Sequence, residues 1–197
     1  MNKNLTEIII LLDRSGSMPG LETHIIGGFN NFIQRQCSLG QTNLTVVLYD
    51  SKYEILYNGV DASTVTLTKK DYYTRSSAAL SDAIGKAILD VNFRLSQSEK
   101  TACPEKVIFI ITKHGPENSG TEYTYEKISK IVSRQKELFN WIFILTGTSI
   151  DVISESRKLG IDPSLAFSYQ TTSQGIKLMY QKLDYIVKEL RLNKFSF

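Results

Sequence analysis

Cysteine is nearly absent from this chain of 197 residues, where Cys37 and Cys103 are the only two. Two thiols cannot build a disulfide framework, and with no export pattern at Met1-Asn2-Lys3-Asn4 they read as reduced thiols of a cytoplasmic protein. Long apolar runs are missing as well. The longest, from Ile8 to Leu12, is far too short to span a bilayer. Charge of one sign is also lacking: 23 Lys and Arg stand against 20 Asp and Glu, a net charge of +3 without any basic run. The clustered cations that dominate nucleic-acid affinity, or that hold a protein to an anionic membrane, are therefore not supplied. No linker or repeat divides the chain, and its length and 42% hydrophobic content fit one domain, residues 1–197, with a full core.

What the chain does have is a regular alternation of short apolar runs with segments of helical period, the pattern of a sheet covered by helices on both faces. Strands are expected near residues 7–12, 44–49, 53–57, 106–112, 141–146 and 166–169. Helices are expected near 21–37, 80–95, 125–139, 150–159 and 173–192, the first with Ile25, Ile26, Phe29, Phe32 and Ile33 on one buried stripe. Asp50-Ser51-Lys52 reads as a hairpin turn, which puts one antiparallel strand at the edge. Residues 58–76 read mostly as loop. The run from Lys106 to Thr112 barely alternates and so reads as a buried central strand. The expected fold is a doubly wound, Rossmann-like three-layer α/β/α sandwich with a mostly parallel sheet.

Directly after the first apolar run comes Asp13-Arg14-Ser15-Gly16-Ser17. It offers the oxygen side chains of Asp13, Ser15 and Ser17 at alternate positions, at the end of a strand where an open α/β sheet places its ligands. A carboxylate and two hydroxyls suit a hard cation such as Mg²⁺. This loop, with Ile26-Gly-Gly-Phe-Asn-Asn-Phe32, Ala79-Leu-Ser-Asp-Ala-Ile-Gly85, the run Val107 to Thr112, and Trp141 with Gly147 downstream, resembles a von Willebrand factor A (vWA) domain of the small stand-alone bacterial or phage type. The likeness covers nearly the whole chain. It implies a non-enzymatic protein-binding module with a metal-ion-dependent adhesion site. There the Asp and two Ser are joined by a Thr before the second helix and an Asp after the central strand, and a partner carboxylate completes the set.

Two positions depart from that pattern. The place of the Thr is held by Ala78, with Ser76 and Ser77 beside it as the nearest hydroxyls, and the Thr-Asp-Gly of the family reads Thr112-Lys113-His114-Gly115. Exchanging a carboxylate for an ammonium costs a dication roughly 4 kcal/mol even at the dielectric of water, nearly a thousandfold in affinity. The site is thus incomplete for Mg²⁺. A neutral His114 aligned with the lost Asp would instead suit Mn²⁺ or Zn²⁺. Lys113 has two readings: its ammonium takes the vacated cation position and donates to Asp13, Ser15 and Ser17, or it points to water while Asp13 braces its own loop through N–H bonds. A free Lys113 would meet a partner carboxylate directly.

Tyr72, Tyr73 and Arg75 fall in the loop expected at the rim of this site, where aromatic and Arg side chains anchor protein interfaces. With Ser76, Ser77, Lys113 and His114 they make up the expected partner-binding set, which Tyr123 and Tyr125 extend. Packing against the core is the competing reading for the tyrosines. Trp141 reads as core, His24 as a solvated helix residue, and Asp82 as a carboxylate favoured by the dipole of the second helix. A hydrolase or phosphotransfer enzyme built on Ser15 or Asp13 with His114 as base has no recognised order of residues and no phosphate-cradling glycine loop.

Overall fold

The computed structural model describes residues 2–16, 20–75, 77–115, 122–149 and 151–193. Five consecutive apolar residues, Ile8 to Leu12, are all essentially inaccessible. Only a central strand covered on both faces accommodates such a run. It lies in β1 (Asn2–Asp13), at the middle of a six-stranded sheet of order β3-β2-β1-β4-β5-β6. The others are β2 (Gln41–Tyr49), β3 (Tyr53–Asp61), β4 (Pro104–Lys113), β5 (Ile142–Gly147) and β6 (Ala166–Ser168). Every pairing is parallel except β2 with β3, the antiparallel hairpin at the edge. The expected three-layer, mostly parallel sandwich is what the chain forms.

Helices α1 (Glu22–Leu39), α2 (Leu80–Ser96), α3 (Tyr125–Phe139), α4 (Val152–Lys158) and α5 (Ser173–Arg191) cover the sheet. Strand alternation divides the interior in two. Ile8, Ile10, Leu12, Ile108, Ile110 and Ile144 pack with α1 and α5, while Ile9, Leu11, Phe109, Ile111, Phe143 and Leu145 pack with α2, α3 and Val152 of α4. Trp141 belongs to the second cluster, its ring stacked on Phe109 with centroids 6.4 Å apart. Ile26 lies only half-buried on the edge of the α1 stripe.

Three expected bounds move by several residues, one of them the start of β2, at Gln41 instead of near residue 44. β1 begins early, at Asn2, because Asn2 N–H donates to Cys103 O and Leu5 pairs with Gln41. β3 continues to Asp61, pairing Val60 with Leu44, so residues 58–61 are strand and not loop. A 3₁₀ turn, Ala62–Thr64, follows it, capped by the Asp61 carboxylate. At the lower end of the sheet the Lys106 ammonium donates to Leu190 O, Arg191 O and Asn193 Oδ1 at 2.6–2.9 Å and closes the C-terminus of α5. Among the described residues no helix is long and apolar enough to cross a membrane.

The chain leaves β1 towards β2 on one side and reaches β4 on the other. The strand order therefore reverses between β1 and β4, and the carboxyl ends of these two strands carry Asp13 and Thr112-Lys113-His114. That crevice is where an open α/β sheet holds its ligands.

Candidate functional site

Asp13 ends β1 and is inaccessible to solvent. Its Oδ1 accepts from Ser15 N–H and its Oδ2 from His114 N–H, both at 2.7 Å. The Thr112 hydroxyl donates to Leu11 O at 3.0 Å and accepts from Asp13 N–H at 3.2 Å, so it stitches the ends of β1 and β4 together. The Asp13 carbonyl accepts from the Tyr72 hydroxyl at 2.7 Å. This carboxylate braces the loop by main-chain N–H bonds, which meets the Asp13 half of one sequence reading and not its Lys113 half.

Arg14, inside the same loop, is almost wholly buried. Its Nε lies 2.8 Å from Asp50 Oδ2 and its Nη1 2.8 Å from Glu54 Oε2, which ties the loop to the β2–β3 hairpin. Its carbonyl accepts from Arg75 N–H at 2.7 Å, and a Cβ on Gly16 would come within 2.5 Å of the Arg75 carbonyl. Glycine is needed there for the two backbones to approach. The fixed place of Arg14 was not read from the sequence, although an Arg within the loop and the acids at 50 and 54 are visible in it.

Lys113 follows neither of its expected courses. By alternation it shares the face of Phe109 and Ile111, away from Thr112, and its ammonium pairs with Glu155 Oε1 on α4. The Tyr125 hydroxyl donates to the same oxygen at 2.9 Å. The group lies at the floor of a cleft of about 670 Å³ walled by Thr148, Ser149, Ser154 and Lys158. Lys113 is thus neither on Asp13 nor loose in water, and it is not free to meet a partner carboxylate. Nothing in the sequence pointed to Glu155, which lies on a different helix.

His114 is buried, its ring edge-on to Tyr169 with centroids 6.1 Å apart. Burial holds the imidazole below its ordinary pKa despite the Asp13 carboxylate nearby, so it is neutral at neutral pH. Its Nδ1 stands 3.7 Å from Asp13 Oδ2, beyond hydrogen-bond reach. Among the described residues no three His, Cys, Asp or Glu side chains converge as a metal would require. The donors do not fit the cation set that the resemblance implies: residue 78 is Ala, and Lys113 offers no lone pair.

The rim set separates. Tyr72 is buried with its hydroxyl on Asp13 and is a packing residue, because its ring fills the α1 side of the core. Tyr73 is 48% exposed, and the Arg75 guanidinium lies over its ring, 5.8 Å from the centroid. Ser77 is half-buried. Ser15 is buried, while Ser17 and Ser76 lie outside the described residues. Tyr123 packs its ring on Gly85 of α2. Asp82 does more than favour a helix dipole: its Oδ1 accepts from the N–H groups of Glu122 and Tyr123, both at 2.9 Å, and so holds the chain entering α3. His24 is exposed, as expected.

No protein-family profile matches the chain, and no curated protein resembles it in sequence. Solved structures do resemble it in fold. Proximal thread matrix protein 1 from the mussel byssus superposes with a TM-score of 0.67 at 14% identity over 95% of this chain and 47% of that one, and a further structure of it has a zinc-occupied metal-ion-dependent adhesion site. Manganese-loaded TRAP protein of Plasmodium vivax gives 0.61 at 18% identity over 91% of this chain and 73% of that one. The PilB minor pilin of Streptococcus sanguinis gives 0.66 at 10% over 96% and 62%. The chain spans about half the length of the mussel protein. Its six-stranded sandwich is a fold of the von Willebrand factor A type.

Proposed function

We propose that this chain is a non-enzymatic protein-interaction module that binds its partner through the loops at the carboxyl edge of its sheet, without a divalent cation at Asp13. The observation that carries this reading is the loss of the further ligands around Asp13, where residue 78 is Ala and Lys113, in place of a carboxylate, is turned to Glu155. The Ser15 and His114 amides use one lone pair on each Asp13 oxygen to brace the loop, and among the described residues no cluster of three His, Cys, Asp or Glu side chains gathers to hold a cation. The exposed Tyr73 and Arg75 pair supplies the aromatic and guanidinium surface on which interfaces concentrate their binding energy. The similar structures are named as a thread matrix protein, a minor pilin and a pilus adhesin, which supports a binding role over a catalytic one. Chemistry at Ser15 has no support in the geometry, since His114 Nδ1 meets no hydroxyl among the described residues and stands 3.7 Å from Asp13 Oδ2, beyond hydrogen-bond reach.

A cation-dependent reading is the second, favoured by the zinc and manganese held in two of the similar structures. The two part in one experiment. Chelator-treated protein is melted across a titration of Mg²⁺, Mn²⁺ and Ca²⁺, because a ligand that binds only the native state raises the Tm by mass action. The metal-free module shows no saturable rise up to millimolar ion. A rise that Asp13→Ala abolishes sinks it in favour of cation-dependent binding.

A further inference from the structure

Four buried side-chain groups on the α1/α5 side of the sheet have no hydrogen-bond partner among the described residues: Thr146 Oγ1, His114 Nδ1, Tyr169 OH and Tyr180 OH. Each of these residues is more than nine-tenths buried. The topology brings them together. Thr146 of β5 pairs in register with Thr112 of β4 and Phe167 of β6, and His114 and Tyr169 lie two residues beyond those partners. Strand alternation then sets all three on the face of Ile110, Ile144 and Phe167. The rings of His114 and Tyr169 meet edge to face. Tyr180 descends from α5, pressed on Gly28 of α1 so closely that a Cβ there would lie 2.2 Å from its ring. Tyr72, whose hydroxyl is committed to the Asp13 carbonyl, lies in the same cluster as Tyr169 and Tyr180.

Such groups are seldom left unpaired in a native interior, and four together point to a shared partner. We infer that this cluster is a built internal hydration site, in which ordered water bridges His114 Nδ1 to the hydroxyls of Thr146, Tyr169 and Tyr180. Water suits it better than an ion because the four groups are neutral, burial holding the His114 imidazole below its ordinary pKa. The site would join the loop around Asp13 to α5 through water instead of through direct side-chain contact.

The sign of a stability change tests it. Thr146→Val and Tyr180→Phe each remove one hydroxyl at nearly constant shape. If water bridges these groups, each variant loses a hydrogen bond and its Tm falls by about 2 to 4 °C. If the hydroxyls are dry, each variant sheds a desolvated polar atom and its Tm holds or rises. Water-to-protein magnetisation transfer in NMR, read at the His114 ring and the α5 amides of the unmodified protein, supplies the second measurement. Transfer to a long-lived water, with a lowered Tm in both variants, is the result expected. A Tm unchanged or raised in either variant, or absence of transfer, overturns the site.

Discussion

Single residues in this protein reveal their roles by what they give up to be buried. Glu7 sits on β1 beneath α2 with no solvent exposure; its Oε1 accepts from Arg94 Nη2 at 2.5 Å and from the Thr45 hydroxyl at 2.9 Å. Burial is the largest influence and lifts its pKa above the ordinary 4.5, while Arg94 and Thr45 pull it back. A raised native pKa means that the folded protein holds a proton that the unfolded chain has lost, in the window just above pH 4.5. Stability from this residue is therefore fully present below that window and falls as pH rises through it, each tenfold gain in proton affinity on folding being worth about 1.4 kcal/mol. Glu7→Gln removes the titration. Urea unfolding of parent and variant between about pH 4 and 7 should show the parent losing stability relative to the variant as pH rises. A relative gain would mean that Arg94 outweighs burial. The same residue-by-residue view explains the rim. Tyr73 stays exposed with Arg75 over its ring, whereas Tyr72, one position earlier, is spent on the core and on Asp13.

Between elements, the packing of α1 on α5 turns on two adjacent glycines that the sequence presents as equals. A Cβ on Gly27 meets nothing within 4 Å, but one on Gly28 would enter the Tyr180 ring. Alanine is better than glycine in a helix interior by about 1 kcal/mol. Gly27→Ala should therefore raise stability by about 0.5–1 kcal/mol in chemical denaturation. Gly28→Ala should lower it by about 1–3 kcal/mol, since overpacking displaces the helix or the ring. Equal effects at the two positions would show that α1 and α5 are not in such close contact. At this scale most of the fold was legible: apolar runs bounded by turn residues marked the strands, and periodic stripes marked the helices. The first residues of β1 and the last of β3 were not, because Asn2–Asn4 and Asn58–Asp61 carry no apolar pattern and are held by pairing with a neighbouring strand. Lys113 was half legible. Alternation along β4 already sets it on the face opposite Thr112, but its partner Glu155 is 42 residues away on α4 and no local signal announces it.

Across the whole molecule, the reversal of strand order between β1 and β4 gathers distant segments onto one carboxylate. Asp13 receives the amides of Ser15 and of His114, and its carbonyl receives Tyr72, so three segments far apart in sequence meet there. The position of Asp13 at the end of a buried strand was legible from the run before it. That each of its oxygens accepts an amide from within was not, because the His114 amide reaches it only through the register of β1 on β4. The consequence is opposite to that of a cation site kept free of metal. There, an acidic ligand without its ion is an electrostatic burden, and its removal is neutral or stabilising. Here Asp13→Ala leaves two buried N–H groups without an acceptor, at about 1–3 kcal/mol each. In chelator, without any divalent ion, Asp13→Ala should thus lose about 2–6 kcal/mol by urea unfolding. Asp13→Asn keeps one oxygen to accept and should lose roughly half of that. An apo protein that gains stability on losing this carboxylate would mean that the amides of Ser15 and His114 do not stand in for a cation, and that the loop is built to receive one.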